Sequence, residues 1–361
     1  MSSKGKLLLA PLLIGASALA FHAGKDAHAS DAITVVSFGG AFAHSQIEAY
    51  HKPFSEKTGI TVNSVDYNGG LAEIRAQAES GNVTWDVIDM APSNAAVGCD
   101  EDILQPIDPA ILPPAPDGTP AMEDFIEGTV GECFVATIVY STIVAYDDTK
   151  FPNEKPTTIA DLFDLEKFPG KRALRKMPND NLQWALIADG VPREDVYEVL
   201  GTPEGVDRAF AKLDTIKDQT IWWEAGAQPP QMLADGEAAM VSAWNGRVFN
   251  AISKENKPFA IVWDHQVWGI DTWVVTKGTK NLQAALDFIA FSTDTQRLAD
   301  QAQYISYGPA RQSSFPLVVD KMKPHMPTAP ENMATSIPND YEFWADHQDE
   351  LTERFNAWLL Q

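Results

Sequence analysis

Ile33-Thr34-Val35-Val36-Ser37 is a short β-branched run that breaks at Phe38-Gly39-Gly40. Behind it Ala43, Ile47, Tyr50, His51 and Phe54 recur at the spacing of one helix face. Lys57-Thr58-Gly59 ends that helix, with the glycine at its C-cap. Ile60-Thr61-Val62-Asn63-Ser64-Val65 reads as the next strand, residues 71–79 as the next helix, and Trp85-Asp86-Val87-Ile88-Asp89-Met90 as a third strand. Ala91-Pro92-Ser93-Asn94 then turns into another helix. Strands alternating with helices in this way predict an α/β fold with a parallel sheet, whose ligands sit beyond the carboxyl ends of the strands. Ser93, at the turn after the third strand, can offer its hydroxyl and neighbouring amides to a ligand, or serve only as a helix cap.

Outward from this unit, residues 103–131 are Pro-rich and acidic and read as a surface connection. Val135, Thr137, Ile138, Val139, Thr142, Ile143 and Val144 form a β-branched run that is long for one strand, as for a strand passing from one lobe into another. Strands are predicted over 171–176, 221–224, 238–243, 260–263 and 268–276, with helices between the first four, a turn between the last two, and an amphipathic helix at 341–360. Two crossover strands give two discontinuous lobes, 30–140 plus 273–320 and 141–272 plus 321–361, able to close on each other like a hinge.

The second half carries the concentrated chemistry. Trp244-Asn245-Gly246-Arg247 and Trp268-Gly269-Ile270-Asp271-Thr272-Trp273 bring three indoles, a guanidinium and a carboxylate into a short span. Charges buried without partners are costly. A cleft with aromatic walls and two opposite charges, the form in which a small charged organic ligand is held, accounts for them. Asp271 in such a cleft would grip an alkylammonium through a charge-assisted hydrogen bond; its plainer role is to cap a turn.

The chain has 361 residues and a net charge of −23. Lys4 and Lys6 precede an apolar stretch at 7–21, and Ala27-His28-Ala29 is a small-x-small cleavage site, so residues 1–29 read as a secretory signal peptide. Cleavage removes three lysines and one aspartate and leaves 332 residues with a charge of −25, a length that suits two lobes. Such acidity argues against nucleic acid. In an exported chain, the two cysteines Cys99 and Cys133 are expected to pair. No Cys/His cluster has zinc spacing, and no metal or cofactor is expected.

In order and spacing, Phe54-Ser55-Glu56-Lys57-Thr58-Gly59-Ile60-Thr61-Val62, Ser37-Phe38-Gly39-Gly40, Trp85-Asp86-Val87, Val144-Ala145-Tyr146-Asp147, Gly236-Glu237-Ala238-Ala239-Met240 and Trp244-Asn245-Gly246 resemble bacterial extracytoplasmic solute-binding proteins, in particular the polyamine (spermidine/putrescine) branch. The resemblance implies a type II periplasmic binding fold and a monomeric periplasmic protein that delivers a small amine to the permease of an ABC importer. On the family pattern Asp271 grips an ammonium, Trp244 packs on the ligand's methylenes, Tyr307 lines the site, and Phe38 and Phe42 stand where the family has cleft aromatics. Trp268 is a candidate second wall. Asp180 falls near two acids that take the far amine, with Met177 near the place of the other; Asp180 also reads as a helix cap.

Arg247 departs from the branch, which has a small or neutral residue after Trp-Asn-Gly. A guanidinium repels a diamine and favours a carboxylate. Arg247 at one end and Asp271 at the other predict a zwitterion with separated charges, such as 4-aminobutyrate; if Arg247 faces away, putrescine or another small polyamine is preferred. An extracytoplasmic enzyme, a metal binder or an oxyanion binder on the same fold are the alternatives. The chain has no Gly-x-Ser-x-Gly elbow, and Tyr304 and Tyr307 are not adjacent.

Overall fold

The β-branched runs assemble into one mixed sheet that serves both halves of the molecule. The computed structural model describes residues 1–2 and 31–361; the leader and its cleavage point lie outside the described residues. The main strands are β1 (Ala32–Ser37), β2 (Thr61–Asp66), β3 (Val87–Met90), β4 (Val135–Asp147), β5 (Arg172–Arg175), β6 (Thr220–Trp223), β7 (Met240–Trp244) and β8 (Phe259–Val275). They lie in the order β2-β1-β3-β8-β4-β7-β5-β6. β1 runs parallel to β2 and β3, and β5 runs parallel to β6 and β7. The long β4 and β8 are antiparallel to each other and join the two parallel sets.

β4 is buried along almost its whole length, which is why it is β-branched on both faces and shows no alternation. β8 corrects the reading of 260–263 and 268–276 as separate strands. Its pairing with β4 jumps from Thr142↔Val267 to Val144↔Val262, so residues 263–266 bulge out of one continuous strand. His265 takes φ 49° in the bulge. Asp264 accepts a hydrogen bond from the Ile159 amide at 3.0 Å and lies 2.9 Å from the His265 ring.

The first predicted helix forms as α1 (Gly40–Gln46) and α2 (Lys52–Thr58) joined by a π turn at Ile47–His51. Pro53 has no N–H to give the carbonyl of Ala49, four residues back, and the ladder widens there. Gly59 ends α2 in the left-handed conformation, φ 79°. Next come α3 (Ala72–Ser80), α4 (Pro92–Asp100) and α5 (Ala121–Asp124), then α6 (Asn181–Ala188), α7 (Val196–Leu200), α8 (Pro203–Lys217), α9 (Gln228–Ala234) and α10 (Asn245–Glu255). The last helices are α11 (Leu282–Ser292), α12 (Thr295–Gln301), α13 (Pro330–Met333) and α14 (Tyr341–Leu359).

Apolar cores form at both ends of the sheet. One gathers Val35, Tyr50, Phe54, Val135, Trp273 and Phe288 between the first strands and α11. Another gathers Leu174, Trp184, Leu186, Leu213, Trp344 and Phe355 beneath α6, α8 and α14. α14 buries one stripe, Trp344, Leu351, Phe355 and Trp358, and Trp358 stacks on Phe210 at 5.4 Å. Its other side approaches α4 across the gap between the cores. Cys99, near the end of α4, is bonded to Cys133, just before β4, with a Cα–Cα distance of 5.9 Å. In the irregular 103–131 region, fully buried Arg311 pairs with Asp124 at 3.2 Å and lies 4.4 Å from the Phe125 ring.

Candidate binding cleft

The carboxyl ends of β1, β3, β5 and β7, the middle of β8 and the polar side of α14 surround a cavity of about 360 Å³. Phe38, Phe42, Ser93, Asp180, Trp244, Arg247, Asp271 and Tyr307 all line it.

Arg247 reaches the cleft because its neighbours are small. It stands in the first turn of α10, at the positive end of the helix, where a cation is disfavoured. Its Nη2 donates to the carbonyls of Phe38 at 2.9 Å and Gly39 at 3.1 Å. Gly40, φ 60°, leaves room for it: a Cβ there would come within 2.6 Å of Nη1. Among the described residues the Nε of Arg247 has no hydrogen-bond partner, and burial lowers the guanidinium's pKa. Asn245 pins this turn, accepting from the Ser141 amide at 3.0 Å and donating to the Ser306 carbonyl at 2.7 Å. Gly246 is needed because a Cβ would meet Ile305 at 2.5 Å and Tyr307 at 2.6 Å.

Asp271 lies opposite Ile138 in the last third of β8 and is 9% exposed. Burial pushes its carboxyl up to about 7, against the lowering effect of Arg175 and then Arg247. Asp180 precedes α6 with φ 68° and makes no capping bond, so its carboxyl is left to the cleft. Burial pushes it up to about 6, against Arg175 and the Thr142 hydroxyl.

Trp244 forms the aromatic wall, edge-on to Phe38 at 5.9 Å and Trp223 at 5.8 Å. Phe42 is buried and meets Tyr307 edge-on at 5.4 Å. Burial raises the Tyr307 hydroxyl well above its ordinary value. Ser93 sits in the first turn of α4, which carries no side-chain cap bond.

Two indoles are placed elsewhere. Trp268 lines a separate hollow with Arg193, Glu194 and Tyr197, which corrects its assignment as a second wall. Side chains alternate along a strand, so a residue three positions from Asp271 points to the opposite face. Trp273 is fully buried in the core, 5.5 Å from the Phe288 ring centroid.

Arg175, Tyr140 and the α14 residues Gln348, Asp349 and Thr352 line the cleft without having been singled out. Arg175 ends β5, and the carboxyl-end rule for parallel strands was the signal for it. The α14 residues carried no signal, because the polar face of an amphipathic helix reads as a solvent face. Among the described residues no group of His, Cys, Asp and Glu is arranged to hold a metal, and no helix is long and apolar enough to cross a membrane.

Two α/β halves sharing crossover strands around a charged, aromatic cleft define a solute-binding protein of the type II periplasmic class. The chain belongs to the bacterial extracellular solute-binding protein family, whose model matches residues 49–328. It is a substrate-binding component of ABC importers. A gamma-aminobutyric acid-binding protein of Pseudomonas aeruginosa is 45% identical over 343 residues, 95% of each chain. MotA from A. tumefaciens B6, solved in complex with glucopine, superposes with a TM-score of 0.84 at 32% identity, over 91% of this chain and 99% of that one. A GABA receptor structure superposes with a TM-score of 0.78 at 33% identity, over 91% and 97%. The spermidine/putrescine-binding protein PotD of Streptococcus pneumoniae, 17% identical with a TM-score of 0.69 over 91% and 100%, shares the fold.

Proposed function

We propose that the cleft captures 4-aminobutyrate or a close ω-amino acid, with Asp271 on the ammonium, Arg247 on the carboxylate and Trp244 along the methylenes. The observation that carries this reading is the pair Arg247 and Asp271: both buried, both lining one cavity, neither in an ion pair among the described residues. A buried charge without a counter-charge is costly, and a zwitterion supplies both counter-charges at once. A diamine would answer Asp271 and leave the Arg247 guanidinium opposed to its far end. The gamma-aminobutyric acid-binding relative supports the same ligand class.

Ser93, Phe38, Phe42 and Tyr307 shape the site, and Asp180 stands beside it. The lobes are 30–140 plus 273–320 and 141–272 plus 321–361, hinged on β4 and β8. Ligand closes them by binding the closed state better than the open one. The protein works as a periplasmic monomer, after a leader is removed near Ala29, and docks on a permease. It returns its ligand chemically unchanged, as a binding protein and not an enzyme.

Calorimetry on the mature protein tests the ligand assignment. Asp271→Ala should abolish binding of 4-aminobutyrate with the fold intact. Arg247→Ala should weaken 4-aminobutyrate a hundredfold or more while sparing or improving putrescine. Equal loss for both ligands in Arg247→Ala refutes the assignment.

A further inference from the structure

Phe38 and Gly39 follow β1, in the β2-β1-β3 set, and Arg247 follows β7, in the β7-β5-β6 set; the crossover strands β8 and β4 lie between the two sets. The Arg247 side chain spans that division. Its Nη2 donates to the Phe38 carbonyl at 2.9 Å and to the Gly39 carbonyl at 3.1 Å. The turn that carries these carbonyls is held from its own side. Gly39 has φ 68° and ψ −177°, a region open in practice to glycine alone. A Cβ on it would come within 2.6 Å of the Asp66 carboxylate. The Phe38 ring rests against Tyr67 at 5.1 Å. Gly40, φ 60°, leaves the space in which Nη1 lies.

The donors of this guanidinium can be counted. It has five N–H groups on three nitrogens. Both edges that can hold a carboxylate by two parallel bonds, Nη1–Nη2 and Nε–Nη2, include Nη2, and Nη2 already serves the two carbonyls. Nε is sealed from solvent, and a Cβ on Gly226 would stand 2.9 Å from it. Nη1 makes no hydrogen bond to a described residue and, unlike Nε, is not sealed off. It is the nitrogen left open to the cavity.

We propose that the Phe38-Gly39-Gly40 turn is the positioning element for Arg247: its two carbonyls latch the guanidinium across the cleft and leave the ligand's carboxylate to Nη1. The latch joins groups from both halves, so it exists only when they are together. It adds to the stability of the closed state and slows release of whatever the cleft holds. The assignment of Nη1 to a carboxylate rests on the reading of Arg247 as the acid-binding end of the site; the latch does not.

Arginine side-chain NMR on the mature protein, with and without 4-aminobutyrate, tests the latch. A latched guanidinium cannot turn freely, so Arg247 should show separate Nη1 and Nη2 signals at saturating 4-aminobutyrate, assigned by their loss in Arg247→Lys. Gly39→Ala moves the carbonyls and leaves Arg247 in place. In that variant the two signals should merge, and the dissociation rate of 4-aminobutyrate in stopped flow should rise by about tenfold or more. One averaged signal in the parent under both conditions overturns the latch. So does a Gly39→Ala protein that keeps separate signals or an unchanged dissociation rate. If the signals are separate and merge in Gly39→Ala but 4-aminobutyrate does not bind, the latch stands and the ligand reading falls. If 4-aminobutyrate binds and the signals are averaged, the latch falls and the ligand reading stands. Should Gly39→Ala melt early, Gly40→Ala carries the same test: its Cβ would stand 2.6 Å from Nη1 and so displace the guanidinium from the carbonyls.

Discussion

Asp89 and Asp271 are diagonal neighbours on one face of the antiparallel β3–β8 pair. Asp89 lies opposite Trp273, and Asp271 is two residues earlier on the same strand. Asp89 is completely buried; Gln46 donates to its Oδ2, and its Oδ1 has no hydrogen-bond partner among the described residues. Burial, and then the charge of Asp271, push the Asp89 carboxyl well above the ordinary carboxylate range. The cleft carboxylate therefore has a second raised acid behind it, and its own carboxyl is pushed up to about 7 by burial.

On the proposed assignment an alkylammonium binds the ionised form of Asp271. With its carboxyl at about 7 in the free protein, affinity for 4-aminobutyrate should be level above pH 8 and fall by up to tenfold per unit below pH 7. Binding near pH 6 should release a proton. Calorimetry at that pH in buffers of different ionisation enthalpy measures the release directly, and no dependence on the buffer would contradict the titration assigned to Asp271.

The same shift acts on stability with a definite sign. The folded Asp271 carboxyl is raised from 3.8 to about 7, so between those values the folded chain binds more protons than the unfolded one. Its contribution is full below pH 3.8 and is lost as pH rises through 7. Asp271→Asn removes that loss, and the ligand-free variant should be about 4 kcal/mol more stable than the parent at pH 8. The gain should be smaller at pH 5. Denaturant titrations at the two pH values check the ordering.

Gly226 is part of the Trp244 wall. A Cβ there would stand 2.1 Å from Cζ3 of Trp244 and 2.9 Å from Nε of Arg247. Gly226→Ala should displace both groups, costing about 1–3 kcal/mol of stability as overpacking does. Affinity for 4-aminobutyrate should fall tenfold or more. A variant with unchanged affinity would show that the indole is not part of the site.

Cys99 and Cys133 close a loop with a sequence separation of 34. Crosslinking a loop of that length restricts the unfolded chain by about 3–4 kcal/mol. Replacing both cysteines by serine should lower stability by that order in a denaturant titration, and a reductant should do the same to the parent protein.

The opening half of the fold was legible because local patterns and tertiary demands agree there: Gly59 at a left-handed cap, Phe54 and Tyr50 on one helix face, and Val35 and Val87 in buried strands. The cleft was legible through unlike residues at strand ends, as with Trp244, Arg247 and Asp271. Trp268 was misplaced because charge and aromaticity were weighed before strand parity, and parity alone separates it from Asp271. The β8 bulge was hidden because Asp264 and His265 read as a turn between two strands when they are extra residues within one. The role of α14 could not be read at all: Gln348 binds Asn179 at 3.0 Å, a contact between residues 169 apart in the chain.

That helix has a consequence for how the molecule comes into being. Phe38 comes from the start of the described chain and Gln348 from near its end, and both line the same cleft. No fragment that stops before α14 possesses the whole site. The cleft's lining is therefore complete only once the first three turns of α14 have been made and have packed against it.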